Sequence, residues 1–213
     1  DIDFSDDGLV WIASQEGVSR FDGSSWSSFY VGDGLADDYA YSVGAGKKGT
    51  VWVGHSGEGI SYFDGQSWHT SSEAEGLPSG YVKDIAVDTY GKIWAVTYEG
   101  AVVWDGSGWK DVTEIASISS NAYYLAVTDD PQDESVWFAG ESGLAYHKAG
   151  QWEVHQVYDS LKPQAVAVGP AGVWTVGLGD VVFYDGQSIT RYEVSDGVSY
   201  HSIRDVAVAQ DDS

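Results

Sequence analysis

The chain has 213 residues and carries 33 acidic side chains against 10 basic ones, a formal net charge of −23 at pH 7. Such a charge repels phosphate backbones and anionic lipid surfaces, which argues against nucleic acid and membrane-surface partners. The absence of cysteine excludes a disulfide framework, a thiolate metal site and a cysteine nucleophile. No apolar run approaches the roughly 20 residues of a membrane-spanning helix, and the length fits one domain over 1–213.

The first predicted elements are an alternating segment near residues 1–5, the β-branched run "LVWIA", and the ten-residue unit "GVSRFDGSSW" from Gly17 to Trp26. The unit recurs as "GISYFDGQSW" at 59, "GAVVWDGSGW" at 100, "GLAYHKAGQW" at 143 and a degenerate "DVVFYDGQSI" at 180. A tryptophan in a β-branched setting precedes each unit, at Trp11, Trp52, Trp94, Trp137 and Trp174. A fixed period of about 40 residues indicates a repeat architecture.

Within a repeat, the pattern predicts four short strands and no helix. In the third copy, "VKDIAVD" alternates apolar and polar residues, and "IWAV", "AVVW" and "SGWKDV" follow after turns. Alternation with period two is the signature of a half-buried strand. Asp-Gly between the third and fourth strands predicts a two-residue type I′ hairpin turn, because glycine accepts a positive φ without steric cost.

Four strands in about 40 residues match one blade of a β-propeller. A solenoid is the alternative, but its repeats are typically shorter and carry one or two strands. All ten tryptophans fall at repeat positions, where large flat rings can fill the space between blades. The sequence therefore predicts an all-β propeller of four-stranded blades.

Three segments carry a resemblance to a known family: "KKGTVWVGHSGEGISYFDGQSW", "EGLPSGYVKDIAVD" and "DTYGKIWAVTYEGAVVWDGSGW". They resemble the repeats of the two-component regulator propeller family, with a Trp strand, a glycine-led third strand and a Gly-Leu-Pro loop. The resemblance implies a ligand-sensing propeller domain that lies outside the cytoplasm, in an extracellular or periplasmic location. Some members of this family are implicated in recognising glycans. This chain departs from the pattern after the Trp strand, where the family's threonine occurs only at Thr97.

The first strand of each repeat, which is the inner strand of a propeller blade, occurs once more than the other three strands. "DIDFSDDGLVW" at the start and "RDVAVAQDD" at 204–212 both align with "DIAVDTYGKIW". Five complete repeats, at about 1–42, 43–84, 85–124, 125–165 and 166–205, are thus followed by an extra inner strand at 203–208. We expect a portion of a larger ring, about six to eight blades being usual. The alternative is a closed five-bladed ring with one terminal strand copy outside it.

Two classes of loop are expected to carry function, because propeller loops lie at the mouth of the central channel. The first class follows the strand that contains the repeated tryptophan. In three repeats it places a carboxylate directly before the glycine that opens the ten-residue unit, at Glu16, Glu58 and Glu99. These residues are candidates for a polar-ligand or cation site, or they are simply solvated loop acids.

The second loop class enters the inner strand and is rich in aromatic residues. Its candidate ligand-binding residues are Tyr39, Tyr41, Tyr81, Tyr123, Tyr124, Tyr200 and His201. Aromatic rings at a polar mouth suit stacking against sugar faces, while the alternative is that some of them pack between blades.

Signatures of catalysis and of cofactors are poor. The five histidines occupy different places in the repeat and show no metal-ligand spacing. The acidic segment "DDPQDES" lacks the glycine and the terminal glutamate of an EF-hand, so calcium is possible but not indicated by a motif. No cofactor is predicted, and the sequence leans against an enzyme.

Three functions remain open. The first is a ligand-binding, sensory-type propeller whose ligand is a small molecule or a glycan. The second is a structural or protein-docking propeller, whose acidic surface would attract a basic partner. The third is a propeller lyase or glycosidase resembling the streptogramin lyases, for which His55 with Glu16 and Glu99 is the one combination that the sequence suggests.

Overall fold

A computed structural model describes residues 1–113, 122–127, 135–140, 143–148, 150–155, 163–177, 180–198 and 203–208. The chain divides into two compact units, Asp1–Val112 and Thr113–Ser213. Both units are built from the same four-stranded sheet, so the prediction of a single domain stays a prediction.

The first unit contains three antiparallel sheets, each formed by four strands that are consecutive in the chain. The first sheet comprises β1 (Ile2–Phe4), β2 (Val10–Ser14), β3 (Gly17–Phe21) and β4 (Trp26–Phe29). The second comprises β5 (Ala40–Ala45), β6 (Val51–His55), β7 (Ile60–Phe63) and β8 (Trp68–Ser71). The third comprises β9 (Val82–Val87), β10 (Ile93–Thr97), β11 (Ala101–Trp104) and β12 (Trp109–Asp111).

The second unit contains two more sheets of the same order. The fourth sheet comprises β13 (Ala122–Val127), β14 (Val136–Gly140), β15 (Gly143–Lys148) and β16 (Gln151–His155). The fifth comprises β17 (Ala165–Gly169), β18 (Gly172–Val176), β19 (Val181–Tyr184) and β20 (Ile189–Tyr192). Five complete four-stranded repeats are confirmed.

The first strands of successive sheets lie side by side within each unit. In the first unit β1 contacts β5 and β5 contacts β9, and in the second β13 contacts β17. The packing is close, since a Cβ placed on Gly44 of β5 would lie 3.3–3.4 Å from backbone and side-chain atoms of β9. The first strand of each sheet is therefore the inner one, as the propeller prediction requires.

Tryptophans fill the space between adjacent sheets. Trp11 of β2 is fully buried against the second sheet, with its ring centroid 5.8 Å from Phe63 and 6.1 Å from Trp68. Trp52 of β6 repeats the contact with the third sheet, 6.1 Å from Trp109. Burying rings of this size supplies much of the apolar area that holds neighbouring sheets together.

The Asp-Gly turns differ from the predicted type. Four residues separate the third and fourth strands at each of these turns. The N–H of the first of the four donates to the carbonyl of the last, as from Asp64 to Ser67 at 3.1 Å. The Asp64 carboxylate also accepts the N–H groups of Gln66 and Ser67, both at 2.8 Å. The central pair of the turn is therefore Gly65 and Gln66 and not the predicted Asp64 and Gly65, because the Asp64 carboxylate accepts the N–H groups that follow it.

Short 3-10 turns occur in loops both between and within the sheets. In the part of the chain that is described there are four, and no α-helix: Val31–Asp33, Lys47–Gly49, Glu73–Glu75 and Val194–Asp196. Two of them, Val31–Asp33 and Glu73–Glu75, end at a left-handed glycine, after which Leu35 or Leu77 is buried in the core. None of the helical segments in the described ranges is long or apolar enough to cross a membrane.

The repeat boundaries expected near 42 and 84 pass through β5 and β9, since the sheets begin at their inner strands. Residues 203–208 are described but form no assigned strand. They lie beside the fifth sheet, where the Ile203 N–H donates to the Gly177 carbonyl at 3.2 Å and Val208 packs next to Gly169. Whether this segment is the inner strand of a further blade, and how many blades form the ring, stay predictions.

Candidate functional site

The two predicted loop classes meet at one end of the sheets in the first unit. Loops that follow β2, β6 and β10 are hydrogen-bonded through their backbones to the segments that enter β5 and β9. The bonds are Gly17 N–H to Asp38 O (2.7 Å), Ser56 N–H to Tyr39 O (3.1 Å), Gly57 N–H to Gly80 O (3.1 Å) and Tyr98 N–H to Tyr81 O (2.9 Å). We call this surface the loop end of the first unit.

A β-bulge interrupts the inner strand of the second, third and fourth sheets at the same position. On β5, Ala40 pairs with His55 and Ser42 with Gly54, which leaves Tyr41 between them. The shift on β9 leaves Lys83 in the same place, and that on β13 leaves Tyr123. Bulges change the direction of a side chain, and Tyr41 is 51% exposed.

Tyr39 and Tyr41 form one aromatic pair at the loop end. Their ring centroids lie 5.3 Å apart at an interplanar angle of 63°. Loss of hydration is the main cause that raises the pKa of Tyr39, and the neighbouring Tyr41 raises it further. The Tyr39 phenol is therefore neutral at physiological pH.

Tyr81 and Tyr98 form a second pair, with centroids 6.3 Å apart at 64°. They are 55% and 65% exposed, and the Lys83 ammonium lies 4.8 Å from the Tyr98 ring centroid. Sequence reasoning missed Tyr98, although it directly precedes the candidate Glu99. Because backbone hydrogen bonds join the loops that carry them, both pairs belong to one surface.

The three loop glutamates are exposed. Two of them lie in tight turns in which a side-chain hydroxyl organises the backbone: the Glu16 N–H donates to Ser14 Oγ at 3.2 Å and the Glu99 N–H to Thr97 Oγ1 at 3.3 Å. Among the described residues no three His, Cys, Asp or Glu side chains are grouped as metal ligands would be. The glutamates, including Glu58, thus do not assemble a cation site in the described part of the chain.

His55, at the end of β6, is fully buried. Its Nε2 is 2.8 Å from Ser61 Oγ, which also accepts the Ala36 N–H at 2.9 Å. Burial lowers the pKa of His55 to about 4, against the smaller opposing effect of Asp37 and Asp38. The catalytic combination of His55 with Glu16 and Glu99 is therefore not formed, since the imidazole is enclosed and both carboxylates face solvent.

The remaining candidates lie in the second unit. Tyr124 is partly buried and packs against the core cluster that contains Trp137, so it is a packing residue. The backbone of Tyr123 is described but its side chain is not, and Tyr200 and His201 lie outside the described residues.

The repeated four-stranded meanders with adjacent inner strands define a β-propeller fold. No family model matches the sequence, and no curated protein matches it. Similar solved structures include the extracellular domain assigned to the one-component system BT4673 of B. thetaiotaomicron, with a TM-score of 0.71 and 15% identity over 90% of this chain and 28% of that one. Virginiamycin B lyase from Staphylococcus aureus has a TM-score of 0.71 and 17% identity over 90% of this chain and 68% of that one.

A third similar structure is YCF48 from Cyanidioschyzon merolae, with a TM-score of 0.65 and 16% identity over 92% of this chain and 72% of that one. The chain thus spans little more than a quarter of the BT4673 domain. At these identities the likeness shows the propeller fold alone.

Proposed function

We propose that this chain is part of a sensory-type propeller domain that acts outside the cytoplasm and binds a glycan at the loop end of the first unit. The observation that carries the proposal is the presence of two tyrosine pairs, Tyr39 with Tyr41 and Tyr81 with Tyr98, on hydrogen-bonded loops of neighbouring sheets. Every ring except the partly buried Tyr39 is exposed. Exposed aromatic rings grouped on one surface are typical of binding sites.

The chemistry of this surface suits a neutral, hydroxyl-rich ligand. Tyrosine offers an apolar face for a sugar ring and a phenol for its hydroxyl groups. Glu58 and Glu99 are exposed carboxylates on the same loops and can accept hydrogen bonds from sugar hydroxyls. The bulge on β5 carries Tyr41 of the first pair, and the bulge on β9 adds one further side chain, Lys83.

The similarity to the BT4673 domain, which is described as extracellular, supports a sensory role and a location outside the cytoplasm. The similarity to virginiamycin B lyase keeps a lyase among the alternatives, but the burial of His55 removes the one residue combination that the sequence offers for it.

A thermal-shift screen against neutral oligosaccharides tests the proposal. A ligand that binds only the folded protein stabilises it by about 2.7 kcal/mol at one hundred times its Kd, which is about 5–10 °C in Tm for a chain of this size. Tyr81→Ala should weaken binding by roughly tenfold through the loss of one stacking ring. Tyr90→Ala is the matched control, because Tyr90 is equally exposed but lies in the β9–β10 turn. Equal effects of the two substitutions would count against the tyrosine surface.

Docking of a basic protein segment is the second candidate, favoured by the net charge of −23. The two are separated by salt, because attraction between opposite charges weakens as the Debye length falls from about 10 Å at 0.1 M to about 3 Å at 1 M. Binding of a neutral sugar should change little over this range. Binding that disappears at high salt would favour the protein partner.

A further inference from the structure

The interface between the first and second sheets encloses N–H groups that have no acceptor. They are Trp11 Nε1 on β2, Arg20 Nε on β3 and Trp68 Nε1 on β8, none of which has a hydrogen-bond partner among the described residues. Trp11 is fully buried and Trp68 is 9% exposed. Because buried donors are almost always hydrogen-bonded, three unpaired donors in one interface indicate a binding site for an acceptor.

The three side chains belong to one cluster, together with Phe29 of β4. The ring centroids of Trp11 and Trp68 lie 6.1 Å apart, and those of Phe29 and Trp68 lie 5.5 Å apart. The guanidinium carbon of Arg20 lies 5.6 Å from the Trp11 ring centroid and 5.6 Å from that of Phe29. Arg20 is only partly buried, so the cluster is open to solvent through this residue. We call these four side chains the Arg20 cluster.

The indole of Trp68 differs in this respect from its counterpart in the third sheet. There Trp109 Nε1 donates to Ser71 Oγ of the preceding sheet at 3.0 Å. The first sheet has Phe29 at the place of Ser71, since each of the two pairs with the residue that follows the glycine opening the repeat unit. A phenyl ring has no oxygen, so the Arg20 cluster lacks the acceptor that the next interface contains.

Arg20 is a charged residue at a place where the other sheets have none. It pairs across the strands with Trp11, and the residues that pair with the equivalent tryptophans are Tyr62, Val103, Tyr146 and Phe183. Among the described residues Arg20 forms no ion pair. The acidic residue in its cross-strand row is Asp3, which lies beyond Trp11 and accepts the Ala45 N–H at 2.7 Å. The scaffold therefore supplies Arg20 with two aromatic rings and no carboxylate.

We propose that Arg20 anchors a binding site for an oxyanion, which is either an inorganic ion such as sulfate or the carboxylate of an acidic sugar. A guanidinium is always charged, and its planar set of N–H donors matches the oxygen atoms of such groups. The rings of Trp11 and Phe29 hold it in place by cation–π contacts, and the unpaired indole N–H groups add donors beside it. The site does not depend on the proposed glycan site, because Arg20 lies on β3 and faces the second sheet, whereas the tyrosine pairs lie on the loop end.

Nuclear magnetic resonance of the side-chain N–H groups tests the proposal on the wild-type chain. Sodium sulfate and sodium glucuronate are titrated separately, with sodium chloride keeping the ionic strength constant, because the net charge of −23 makes anion binding sensitive to screening. At least one of the two should shift the Arg20 Nε–H signal and the indole N–H signal of Trp11 or Trp68 to saturation. Loss of the signal in Arg20→Lys assigns it.

Variants measured by titration calorimetry separate this site from general attraction to a positive charge. Arg20→Lys keeps the charge but loses the planar set of donors, so it should weaken binding by about tenfold or more, as expected for hydrogen bonds between charged groups. Arg20→Met should abolish binding. Arg191→Gln is the matched control and should leave the affinity unchanged, because Arg191 is already bonded to Asp180 and Glu193. Far-UV circular dichroism establishes that each variant is folded.

The two anions distinguish the sources of the oxyanion. Saturation by sulfate but not by glucuronate identifies an inorganic ion, and tighter binding of glucuronate identifies an acidic sugar; both results support the site at Arg20. Shifts that never saturate with either anion would overturn the proposal on the wild-type chain alone. Equal loss of binding in Arg191→Gln and Arg20→Met would also overturn it, because the effect would then follow from net charge and not from the Arg20 cluster.

Discussion

Acid should destabilise the first unit through one buried side chain, His55. The imidazole has no solvent exposure, and its Nε2 is bonded to Ser61 Oγ, the same oxygen that accepts the Ala36 N–H of the segment entering β5. A charged imidazole would lose hydration in this position, and this loss is why burial lowers its pKa to about 4. Asp37 and Asp38 attract the charged form but only partly offset the effect.

The sign and size of the effect follow from linkage. The unfolded chain binds the proton at the ordinary histidine pKa of 6.5 and the folded chain at about 4, so the unfolded state gains protons first as the pH falls. Stability is fully present above the unfolded pKa and is lost between the two values, at about 1.36 kcal/mol for each pKa unit. The loss amounts to about 2 kcal/mol between pH 7.5 and 5.0, and to about 3 kcal/mol once the pH is well below 4.

Urea unfolding followed by tryptophan fluorescence at these two pH values measures this loss. His55→Gln cannot titrate and keeps a polar group near Ser61, so its free energy of unfolding should fall by about 2 kcal/mol less than that of the wild type over the same interval. If wild type and His55→Gln lose equal stability, the buried neutral imidazole is not the cause and the reasoning fails.

Three further predictions concern the repeated scaffold. Asp64→Ala should destabilise the protein at pH 7 and weaken its sensitivity to acid in unfolding scans. Backbone N–H groups and His69 hold the pKa of Asp64 at about 2 in the folded protein. The stability that Asp64 contributes is therefore present above the unfolded pKa near 3.8 and is lost as the pH falls toward 2. Gly17→Ala should cost clearly more than Gly23→Ala in urea unfolding, since both have positive φ but an added Cβ lies 2.4 Å from the Phe29 carbonyl oxygen at Gly17 and has open space at Gly23. Ile60→Ala, at a fully buried position between the second and third sheets, should cost about 2–5 kcal/mol by the same measurement.

The sheets were predictable because each is specified by its own repeat. "VKDIAVD", "IWAV", "AVVW" and "SGWKDV" correspond to β9–β12, and alternation together with turn residues acts within a few residues of the chain. The Asp-Gly loops were misassigned for the opposite reason. The Asp64 carboxylate accepts two backbone N–H groups, and these competing hydrogen bonds place Asp64 before the central pair of the turn instead of within it.

The candidate site was only partly predictable, since it depends on contacts between repeats. The sequence proposes Tyr39, Tyr41 and Tyr81 from their place near the start of inner strands. It does not propose Tyr98, which is brought beside Tyr81 by the hydrogen bond of its N–H to the Tyr81 carbonyl. His55 shows the same limit. From the sequence, a histidine at the place where other repeats have Ser14 or Thr97 suggests a catalytic role. In the structure its contact with Ser61 stabilises the segment that carries Tyr39.

The bulges separate what the repeat keeps constant from what it varies. The backbone irregularity occurs at the same place on β5, β9 and β13, yet the residue at that place is Tyr41, Lys83 or Tyr123. A bulge costs ladder hydrogen bonds, so its repetition indicates that the local backbone geometry matters while the residue type is free to differ. The Asp-Gly loops are the reverse case: four of them keep the aspartate and use its carboxylate on their own backbone. Recognition by this protein should therefore reside in the varied bulge and loop positions, and exchanging Tyr41 and Lys83 should change which ligand binds while leaving the unfolding midpoint nearly unchanged.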